Sequence, residues 1–312
     1  MEAVPLSVVI VTRDRPRRLT NLLQDLRVQS RAPIRVVVVD DSDPPVPWDR
    51  AFPDLPLIVI RSERRLFISR AKNLGAARTG TPYVVFIDDD NRLPPQLLAE
   101  LAGTLDRDPR CGAVMPAVLY HRRPALIWVY ATPFRTDRWG FSLVGRNRPR
   151  RPDLEGKLLD TDALPNLSMV RWDAFREVGG FDECLPVNSS ADFCQRLKKA
   201  GWYVCANTGI LTEHDVEPPG IPGYWAEHTV GDPARARLEV MDWLRFHRRW
   251  NGTRPLFVVR ASYHALGFLV PKMLAAIVRP DGRPMALFIA LIQGYHEGLR
   301  PSSTSPPDGK GV

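Results

Sequence analysis

Residues 83–91 read Tyr83-Val-Val-Phe-Ile-Asp-Asp-Asp-Asn91, an apolar run followed by three carboxylates and an amide. A run of this length, rich in β-branched and aromatic residues, predicts a strand buried on both faces. Pro94-Pro95 follows shortly after it. Adjacent carboxylates repel one another unless a positive charge lies between them. The Asp88-Asp89-Asp90 triplet is therefore either a solvated turn that closes the strand or part of a cation site.

Similar apolar runs occur earlier in the chain and alternate with helical patterns. The runs are residues 6–12, 34–39 and 57–60, and the helical patterns are residues 17–28, 69–79 and 95–105. Strands that are apolar throughout and alternate with helices pair in parallel, with both sheet faces covered. The sequence therefore predicts an α/β fold, a Rossmann-like, mostly parallel sheet with helices on both faces.

Polar residues follow these strands at the edge where such folds bind ligands. The first run ends in Thr12-Arg13-Asp14, and the second is followed by Asp40-Asp41-Ser42-Asp43. A second acidic cluster at the same edge favours a cation over a solvated turn, because hard cations prefer oxygen ligands. Mg²⁺ is typically held by one or two carboxylates together with substrate phosphates. We therefore expect Mn²⁺ or Mg²⁺ to bridge the protein to a diphosphate.

The second half of the chain divides near residue 220. Before it, residues 167–170 predict a strand, residues 172–178 and 192–200 predict helices, and Gly179-Gly180-Phe181-Asp182 predicts a turn. We expect three regions: a catalytic domain over 1–220, a helical C-terminal extension over 221–300 and a low-complexity, disordered tail over 301–312.

Composition narrows the class of protein but does not choose the partner. The 312 residues carry 43 Lys and Arg against 35 Asp and Glu, a formal charge of +8. This excess suits an anionic partner, but the arginines are dispersed, so we expect no nucleic acid. The four cysteines form no C-x-x-C pair, and residues 1–12 resemble a strand rather than a signal peptide. The expected location is the cytoplasm.

Five segments together resemble family 2 glycosyltransferases of the GT-A fold. They are Leu6–Arg13, Val36–Asp43, Ser69–Gly75, Val84–Asn91 and Gly179–Asp182, in this order and spacing. The resemblance covers residues 5–215. It implies a metal-dependent, inverting enzyme that moves a sugar from a nucleotide-sugar donor (UDP, dTDP or GDP) to an acceptor hydroxyl of a glycan, a lipid-linked molecule or a small molecule.

The resemblance also assigns candidate residues. Thr12, Asp40 and Asp41 match positions that bind the nucleotide base, and Arg70 and Asn73 match a helix start that approaches the diphosphate. Asp89 would face the sugar or ribose, and Asp90 would bind the metal. The remaining expected contacts are Arg13 and Asp88 for the donor, His214 for the metal, and Asn166 and Trp172 for the acceptor. His214 is equally well explained as a structural histidine at a strand end.

The acceptor side departs from the family pattern. Relatives carry Glu-Asp at the positions of Ser189-Ser190, six residues before the matching arginine, Arg196. That Asp is the general base, and serine cannot accept a proton at neutral pH. Asp192 is the first substitute, Asp182 is a second, and an acceptor that needs little activation or a feeble enzyme are further alternatives. Base catalysis contributes about 10²–10⁴ in rate, so its loss would slow transfer greatly.

Two rival functions remain open, and two others are excluded. The Ser189-Ser190 gap is compatible with a degenerate glycosyltransferase that binds a nucleotide sugar without transferring it, and a nucleotidyltransferase shares a similar sheet and metal. A dehydrogenase or phosphate-loop nucleotidase is excluded because Thr12–Pro16 contains no glycine and no G-x-x-x-x-G-K-[ST] occurs.

The C-terminal segment also has two interpretations. Residues 256–299 either pack on the catalytic domain or lie on an acidic membrane surface, with Arg260, Lys272, Arg279 and Arg283 at the margins of the apolar faces. A peripheral position on the inner membrane face would bring the enzyme close to lipid-linked acceptors.

Overall fold

The computed structural model describes residues 3–62, 66–135, 140–218, 232–251 and 284–300, and single helical positions between 259 and 277. The chain forms two compact units. The first contains Met1–Asp182 and Ser190–Pro218, and the second contains Glu183–Ser189 and Pro219–Val312. The predicted tail, 301–312, and much of the predicted helical extension, 221–300, lie outside the described residues.

The first unit is built on a mixed sheet. Its strands are β1 (Leu6–Thr12), β2 (Arg35–Asp40), β3 (Leu57–Arg61), β4 (Tyr83–Asp88), β5 (Asn91–Arg92), β6 (Cys111–Tyr120), β7 (Arg123–Val129), β10 (Arg148–Pro149), β11 (Leu158–Asp160), β12 (Leu167–Arg171) and β13 (Tyr203–His214). A separate hairpin joins β8 (Phe134–Arg135) to β9 (Gly140–Phe141). The helices for which the described residues give bounds are α1 (Pro16–Arg27), α2 (Trp48–Ala51), α3 (Ile68–Ala76), α4 (Leu97–Arg107), α5 (Trp172–Glu177), α6 (Ser189–Lys199), α7 (Pro233–Asn251) and α8 (Pro284–Leu299).

Parallel pairing holds the first half of the sheet together, as the sequence predicts. Strands β3, β2, β1 and β4 lie side by side and run in the same direction. Successive residues of β1 point to opposite faces, so Val8 and Ile10 pack with α1 and α4 while Val9 packs with α3. Both faces are therefore apolar and covered. The expectation of an α/β fold with helices on both faces is confirmed.

Strand β12 reverses the direction of the sheet. It lies between β4 and β6 and is antiparallel to both, with Leu167 opposite Ile87 and Arg171 opposite Tyr83. Its amino end therefore lies at the carboxyl edge of β4, and its carboxyl end lies at the other edge of the sheet. This reversal decides which of the predicted acceptor residues can reach the candidate site.

Helix α3 approaches the sheet closely enough to require a glycine. A Cβ added at Gly75 would collide with the Val9 side chain of β1. Glycine at this position lets the helix lie close to β1 and β2. The close packing fixes the position of Lys72 and Asn73 on the same helix.

The second unit pairs α7 with α8 and anchors a short segment that is distant in sequence. Arg237 of α7 forms an ion pair with Glu297 of α8. Asp242 of α7 is fully buried and accepts hydrogen bonds from the backbone N–H groups of Val187 and Asn188, both at 2.9 Å. Among the residues that the structure describes, no helix has both the length and the apolar content needed to cross a bilayer.

Asp242 makes the stability of the protein depend on pH. Burial raises the pKa of Asp242 from 3.8 to about 6, more than the hydrogen bonds from Val187 and Asn188 lower it. The folded state thus binds this proton more tightly than the unfolded chain. The resulting stabilisation is fully present below about pH 4 and is lost as the pH rises through 6, a change of up to about 3 kcal/mol.

We therefore expect the free energy of unfolding of the parent to fall between pH 4 and 6.5 relative to that of Asp242→Asn. Urea unfolding at several pH values measures how the free energy of unfolding changes with pH in each protein. Asp54→Asn is the control, because Asp54 is half exposed and pairs only with Arg27 in the described contacts. A parallel pH dependence in the parent and Asp242→Asn would contradict the assignment.

Candidate active site

The carboxyl ends of β1, β2 and β4 bring the predicted polar residues to one edge of the sheet. Thr12 is opposite Asp40 in the β1–β2 pair, and Val11 is opposite Asp88 in the β1–β4 pair. The Asp41 N–H lies 3.4 Å from the Thr12 carbonyl oxygen. The acidic clusters that the sequence places at the ends of separate strands are therefore neighbours in the fold.

Asp89 lies at the centre of this edge and is almost completely buried. Its Oδ2 accepts a hydrogen bond of 2.7 Å from the Thr12 hydroxyl, and its Oδ1 accepts one of 3.1 Å from Arg15. Burial raises the pKa of Asp89 by more than Thr12 and Arg15 lower it. Asp89 is thus fixed in orientation by β1 and by the residue that precedes α1.

Asp90 is held by three groups, two from the start of α1 and one from the end of β13. Its Oδ2 lies 3.3 Å from Arg15 and 3.1 Å from Arg18, and its Oδ1 lies 3.2 Å from His214 Nε2. Burial alone would raise the pKa of Asp90, but His214, Arg15 and Arg18 together outweigh burial and lower it. Asp90 is therefore a stabilised carboxylate, as a metal ligand or an anchor for cations must be.

Arg15 and Arg18 are site residues that the sequence analysis did not identify. They lie three positions apart at the start of α1, which places both on the side facing Asp89 and Asp90. Arg18 also donates a hydrogen bond to the Asp215 carbonyl oxygen. The signal was present in the sequence as two arginines one helical turn apart, directly after the first strand.

His214 lies at the end of β13 and joins Asp90 to an aromatic residue. The backbone places His214 opposite Asn91 of β5, and the Trp128 ring meets the imidazole edge-on at 4.9 Å between centroids. His214 Nδ1 is buried and has no hydrogen-bond partner among the described residues. The predicted proximity of His214 to Asp90 is observed in the structure.

A divalent metal fits the chemistry of this edge. Within the described ranges, no three His, Cys, Asp or Glu side chains converge to hold a metal by themselves. The protein offers Asp90 and His214, and the Oδ1 atoms of Asn91 and Asn166 are buried without a hydrogen-bond partner among the described residues. An incomplete set of protein ligands suits a cation such as Mg²⁺, whose coordination is completed by substrate phosphate oxygens.

Asp40 has a structural role in this conformation. Its Oδ2 accepts hydrogen bonds from Trp48 Nε1 and from Arg61, and its Oδ1 accepts one from the Ser42 N–H. Both carboxylate oxygens are thus used within the protein. Asp40 shapes the loop after β2 rather than offering a free acceptor to a nucleotide base.

Asp41 and Arg13 lie in the two neighbouring loops and are more accessible than Asp40. Asp41 Oδ2 accepts a hydrogen bond of 2.9 Å from the Leu66 N–H. Arg13 donates to the adjacent Asp14, and the Asp14 N–H donates to the Ser42 hydroxyl. The loops after β1 and β2 are therefore tied together beside the acidic edge.

Helix α3 places two cations near the acidic edge, and its Asn73 holds a neighbouring turn by a pair of hydrogen bonds, here called the clamp. Lys72 Nζ lies 3.2 Å from Asp88 Oδ1, and Arg70, two residues earlier, is exposed. Asn73 donates from Nδ2 to the Phe181 carbonyl oxygen at 2.8 Å and accepts from the Phe181 N–H at 2.9 Å. The Asn73 amide was expected to approach a diphosphate, but in this structure it holds the turn that precedes Asp182.

We expect Asn73→Ala to loosen this turn. The loss of both hydrogen bonds to Phe181 predicts a decrease in unfolding free energy of about 2 kcal/mol. Asn73→Asp keeps the acceptor for the Phe181 N–H and should lose less. Urea unfolding measures the free energy of unfolding of the parent and of both variants. Equal stability of Asn73→Ala and the parent would show that the two hydrogen bonds to Phe181 do not stabilise the turn.

The two candidate bases lie in different environments. Asp192 is fully buried on α6, and its Oδ2 accepts a hydrogen bond of 2.8 Å from Arg196 one turn later. Asp182 is half-buried and follows the clamped Phe181. A general base must reach the acceptor proton, so the geometry favours Asp182 over Asp192 in this conformation. Asp182 is therefore the first candidate base in this conformation, and Asp192, preferred from the sequence, is the second.

The two predicted acceptor residues lie at opposite edges of the sheet. The Asn166 carbonyl oxygen accepts a hydrogen bond of 2.9 Å from the Asp88 N–H, so Asn166 lies at the acidic edge. The Trp172 N–H donates to the Pro82 carbonyl oxygen, at the other end of β4, and the Trp172 ring stacks on Phe175. Because β12 is antiparallel to β4, Trp172 does not line the candidate site.

A cavity lined by paired charged side chains lies in the first unit, apart from the acidic edge. It has a volume of about 470 Å³, and its lining includes Asp25, Arg92, His121 and Glu213. Arg92 forms a bidentate pair with Asp25, and His121 Nδ1 lies 2.6 Å from Glu213 Oε2. These four charged groups are already paired with each other, and Arg150, which also lines the cavity, pairs with Glu155, so the acidic edge remains the candidate active site.

Solved structures support the fold assignment. A mannosyltransferase from Pyrobaculum calidifontis, in complex with GDP-Man and Mn²⁺, aligns with a TM-score of 0.56 and 18% identity over 96% of this chain and 88% of that chain. GalNAc-T7 with UDP, GalNAc and Mn²⁺ aligns with a TM-score of 0.56 and 16% identity over 82% of this chain and 53% of that chain. These neighbours establish the GT-A fold.

Curated relatives match by sequence. A pre-mycofactocin glycosyltransferase of Mycobacterium tuberculosis is 26% identical over 298 residues, 92% of this chain and 56% of the relative. The uncharacterised glycosyltransferase YwdF of Bacillus subtilis is 28% identical over 102 residues, 32% of this chain and 38% of the relative. The chain thus spans about half the length, or less, of these two relatives. The model of the family described as glycosyl transferase family 2 matches residues 7–179, more than half of the sequence, and the chain belongs to that family.

Proposed function

We propose that this protein transfers a sugar from a nucleoside diphosphate sugar to an acceptor hydroxyl, with inversion at the sugar carbon. The observation that carries the proposal is the meeting of Thr12, Asp89, Asp90 and His214 with Arg15 and Arg18 at one edge of the sheet. The two GT-A neighbours described above bind nucleotides and Mn²⁺, which supports the same ligand class for this edge.

The donor would lie along the ends of β1, β2 and β4. Asp41 is the carboxylate available to a uracil, thymine or guanine ring, because the Asp40 oxygens are used internally. Thr12 orients Asp89 towards the ribose or the sugar. Arg15, Arg18 and Lys72 supply positive charge where a diphosphate brings negative charge, since guanidinium groups bind phosphate oxygens well.

Asp90 and His214 are the residues that would hold Mn²⁺ or Mg²⁺. A divalent cation held there would supply positive charge to neutralise the diphosphate leaving group. The chain's part in that step is to keep Asp90 ionised and to orient it, which His214, Arg15 and Arg18 do. Arg15 is half exposed and Arg18 is one-third exposed, so both side chains have room to turn from Asp90 to the diphosphate.

Asp182 is the proposed general base. It would take the proton of the acceptor hydroxyl as that oxygen attacks the sugar carbon on the face opposite the leaving diphosphate. The clamp between Asn73 and Phe181 fixes the backbone beside it. Asn166 Oδ1, buried and without a hydrogen-bond partner among the described residues, is available to a hydroxyl of the acceptor or of the donor sugar.

One observation favours a second candidate, a protein that binds a nucleotide sugar without transferring it. Ser189-Ser190 occupies the place of the expected Glu-Asp, and Asp192, the nearest carboxylate on α6, is buried against Arg196. Such a protein would bind the donor with the same residues but would lack turnover. The acceptor of an active enzyme would be a glycan, a lipid-linked molecule or a small molecule.

Thermal unfolding with UDP, dTDP and GDP sugars, with and without Mn²⁺, tests donor binding. A ligand that binds the native state alone raises the melting temperature. Mass spectrometry of donor and acceptor mixtures then distinguishes added hexose from an added nucleotidyl group. Metal-dependent stabilisation without any product would favour the binding protein, and no stabilisation by any nucleotide sugar would refute both candidates.

A further inference from the structure

Trp128 contacts His214, the histidine that would share a divalent cation with Asp90. The planes of the Trp128 and His214 rings meet at 89°, with 4.9 Å between their centroids. On the same imidazole, His214 Nε2 lies 3.2 Å from Asp90 Oδ1. Trp128 is therefore one contact away from the carboxylate that would bind the metal.

The second ring nitrogen of His214 lacks the support that a metal-binding histidine usually has. In most metal sites that nitrogen is hydrogen-bonded to a carboxylate or a backbone carbonyl group, which fixes the orientation of the ring. His214 Nδ1 is buried and has no hydrogen-bond partner among the described residues. An edge-on contact with a large aromatic ring can restrict the rotation of the imidazole instead.

A β-bulge in β7 brings Trp128 to this position. Val129 lies opposite Val118 of β6. The next pair joins Ile127 to Leu119, so Trp128 has no residue opposite it. Ile127 and Val129 pack in different core clusters, although alternate residues of a regular strand share a face. Bulges occur often beside active sites, where they redirect a side chain.

A turn over residues 144–147 holds the bulge in place. Two backbone hydrogen bonds, each of 2.9 Å, join this turn to the chain on either side of Trp128. A Cβ added at Gly145 would collide with the Tyr130 ring, so the turn lies close to the strand. The Arg146 guanidinium lies over the Trp128 ring, 4.7 Å from its centroid, where a cation is attracted to the ring face.

We propose that Trp128 is a positioning residue that keeps the His214 imidazole turned with Nε2 towards Asp90. This is the orientation in which the two side chains can share a divalent cation. The proposal rests on the proposed function, because it uses the metal residues assigned there. Replacing a residue that orients a metal ligand typically changes metal affinity by about 10–100-fold.

Mn²⁺ binding to the full chain tests the proposal without any turnover. Electron paramagnetic resonance of the unbound ion measures the affinity of each protein for Mn²⁺ alone. Trp128→Leu remains apolar but removes the aromatic edge, and it should weaken binding about tenfold or more. Trp128→Phe restores an aromatic edge and should recover most of the affinity. The control is Trp172→Leu, a partly buried tryptophan at the other edge of the sheet, which should bind Mn²⁺ as the parent does.

A double substitution distinguishes positioning from a general effect on folding. His214→Ala alone should weaken Mn²⁺ binding. Adding Trp128→Leu to His214→Ala should cause no further loss, because the effect of Trp128 passes through His214. The same fold-loss from Trp128→Leu in both backgrounds would overturn the proposal. If Trp128→Leu does not fold, Trp128→Met takes its place, since a flexible methionine fills irregular spaces.

The remaining outcomes separate this proposal from the proposed function. If a folded Trp128→Leu or Trp128→Met protein binds Mn²⁺ as tightly as the parent while His214→Ala does not, the positioning role is refuted and the proposed function stands. Absence of Mn²⁺ binding by the parent, or parent-like binding by His214→Ala, would instead contradict the metal residues of the proposed function and this proposal with them.

Discussion

Asp90→Asn is expected to abolish metal stimulation and to lower sugar transfer by about 10³-fold or more. The substitution keeps the size of the side chain but removes the charge that holds Arg15, Arg18 and His214. Interactions between a divalent metal and a leaving group contribute several kcal/mol, and each 1.4 kcal/mol is about tenfold in rate. Steady-state transfer at increasing Mn²⁺ concentration measures both effects.

Two comparisons make the Asp90 prediction specific. Asp54→Asn removes an exposed carboxylate elsewhere in the same unit and should behave as the parent. The melting temperature of Asp90→Asn separates a chemical defect from unfolding, because the variant removes the counter-charge of Arg18 and His214, while Arg15 keeps its pair with Asp89. Metal-stimulated turnover that survives in a folded Asp90→Asn protein would remove Asp90 from the site.

Asp182→Asn and Asp192→Asn are expected to fail in different ways. Asp182 is half-buried beside the clamped turn, so its replacement should lower kcat by about 10²–10⁴ with little change in donor KM or in melting temperature. Asp192 is buried and paired with Arg196, so its replacement should lower the free energy of unfolding by about 3 kcal/mol.

Single-turnover transfer and urea unfolding of both variants distinguish the two roles. Donor affinity, measured separately, should be unchanged in Asp182→Asn because the nucleotide residues are untouched. Asp192 on α6 would be the general base if Asp192→Asn were stable and bound the donor but had no turnover, while Asp182→Asn stayed fully active. Full activity in both variants would mean that the acceptor needs no carboxylate base.

The part of the fold that is predictable from sequence is the part with short-range signals. Continuous apolar runs such as Tyr83–Ile87 mark strands buried on both faces, and the residues that follow them must meet at one edge when the strands are parallel. Thr12, Asp40 and Asp88 therefore come together as expected. The family resemblance added the pairing of Asp90 with His214, 124 positions later in the numbering, which no local pattern contains.

The structure departs from the expected positions and contacts where strand direction or tertiary pairing decides them. The sequence of β12 does not state its direction, and the antiparallel arrangement moves Trp172 to the other edge of the sheet. Asp40 looks like any strand-end carboxylate until Trp48 and Arg61 are seen to use its oxygen atoms. Arg15 and Arg18 were lost among many arginines, because their role depends on partners more than seventy residues away.

The buried carboxylate of α7 bears on how this protein can be dissected. A recombinant fragment ending at Pro218 would keep residues 183–189 but lose Asp242, leaving the amides of Val187 and Asn188 without their acceptor. Those residues lead directly into α6, whose first residues are Ser189 and Ser190. A single cut after Pro218 therefore removes the acceptor of these two amides, and the fragment 1–218 is expected to hold the start of α6 less firmly than the full chain does.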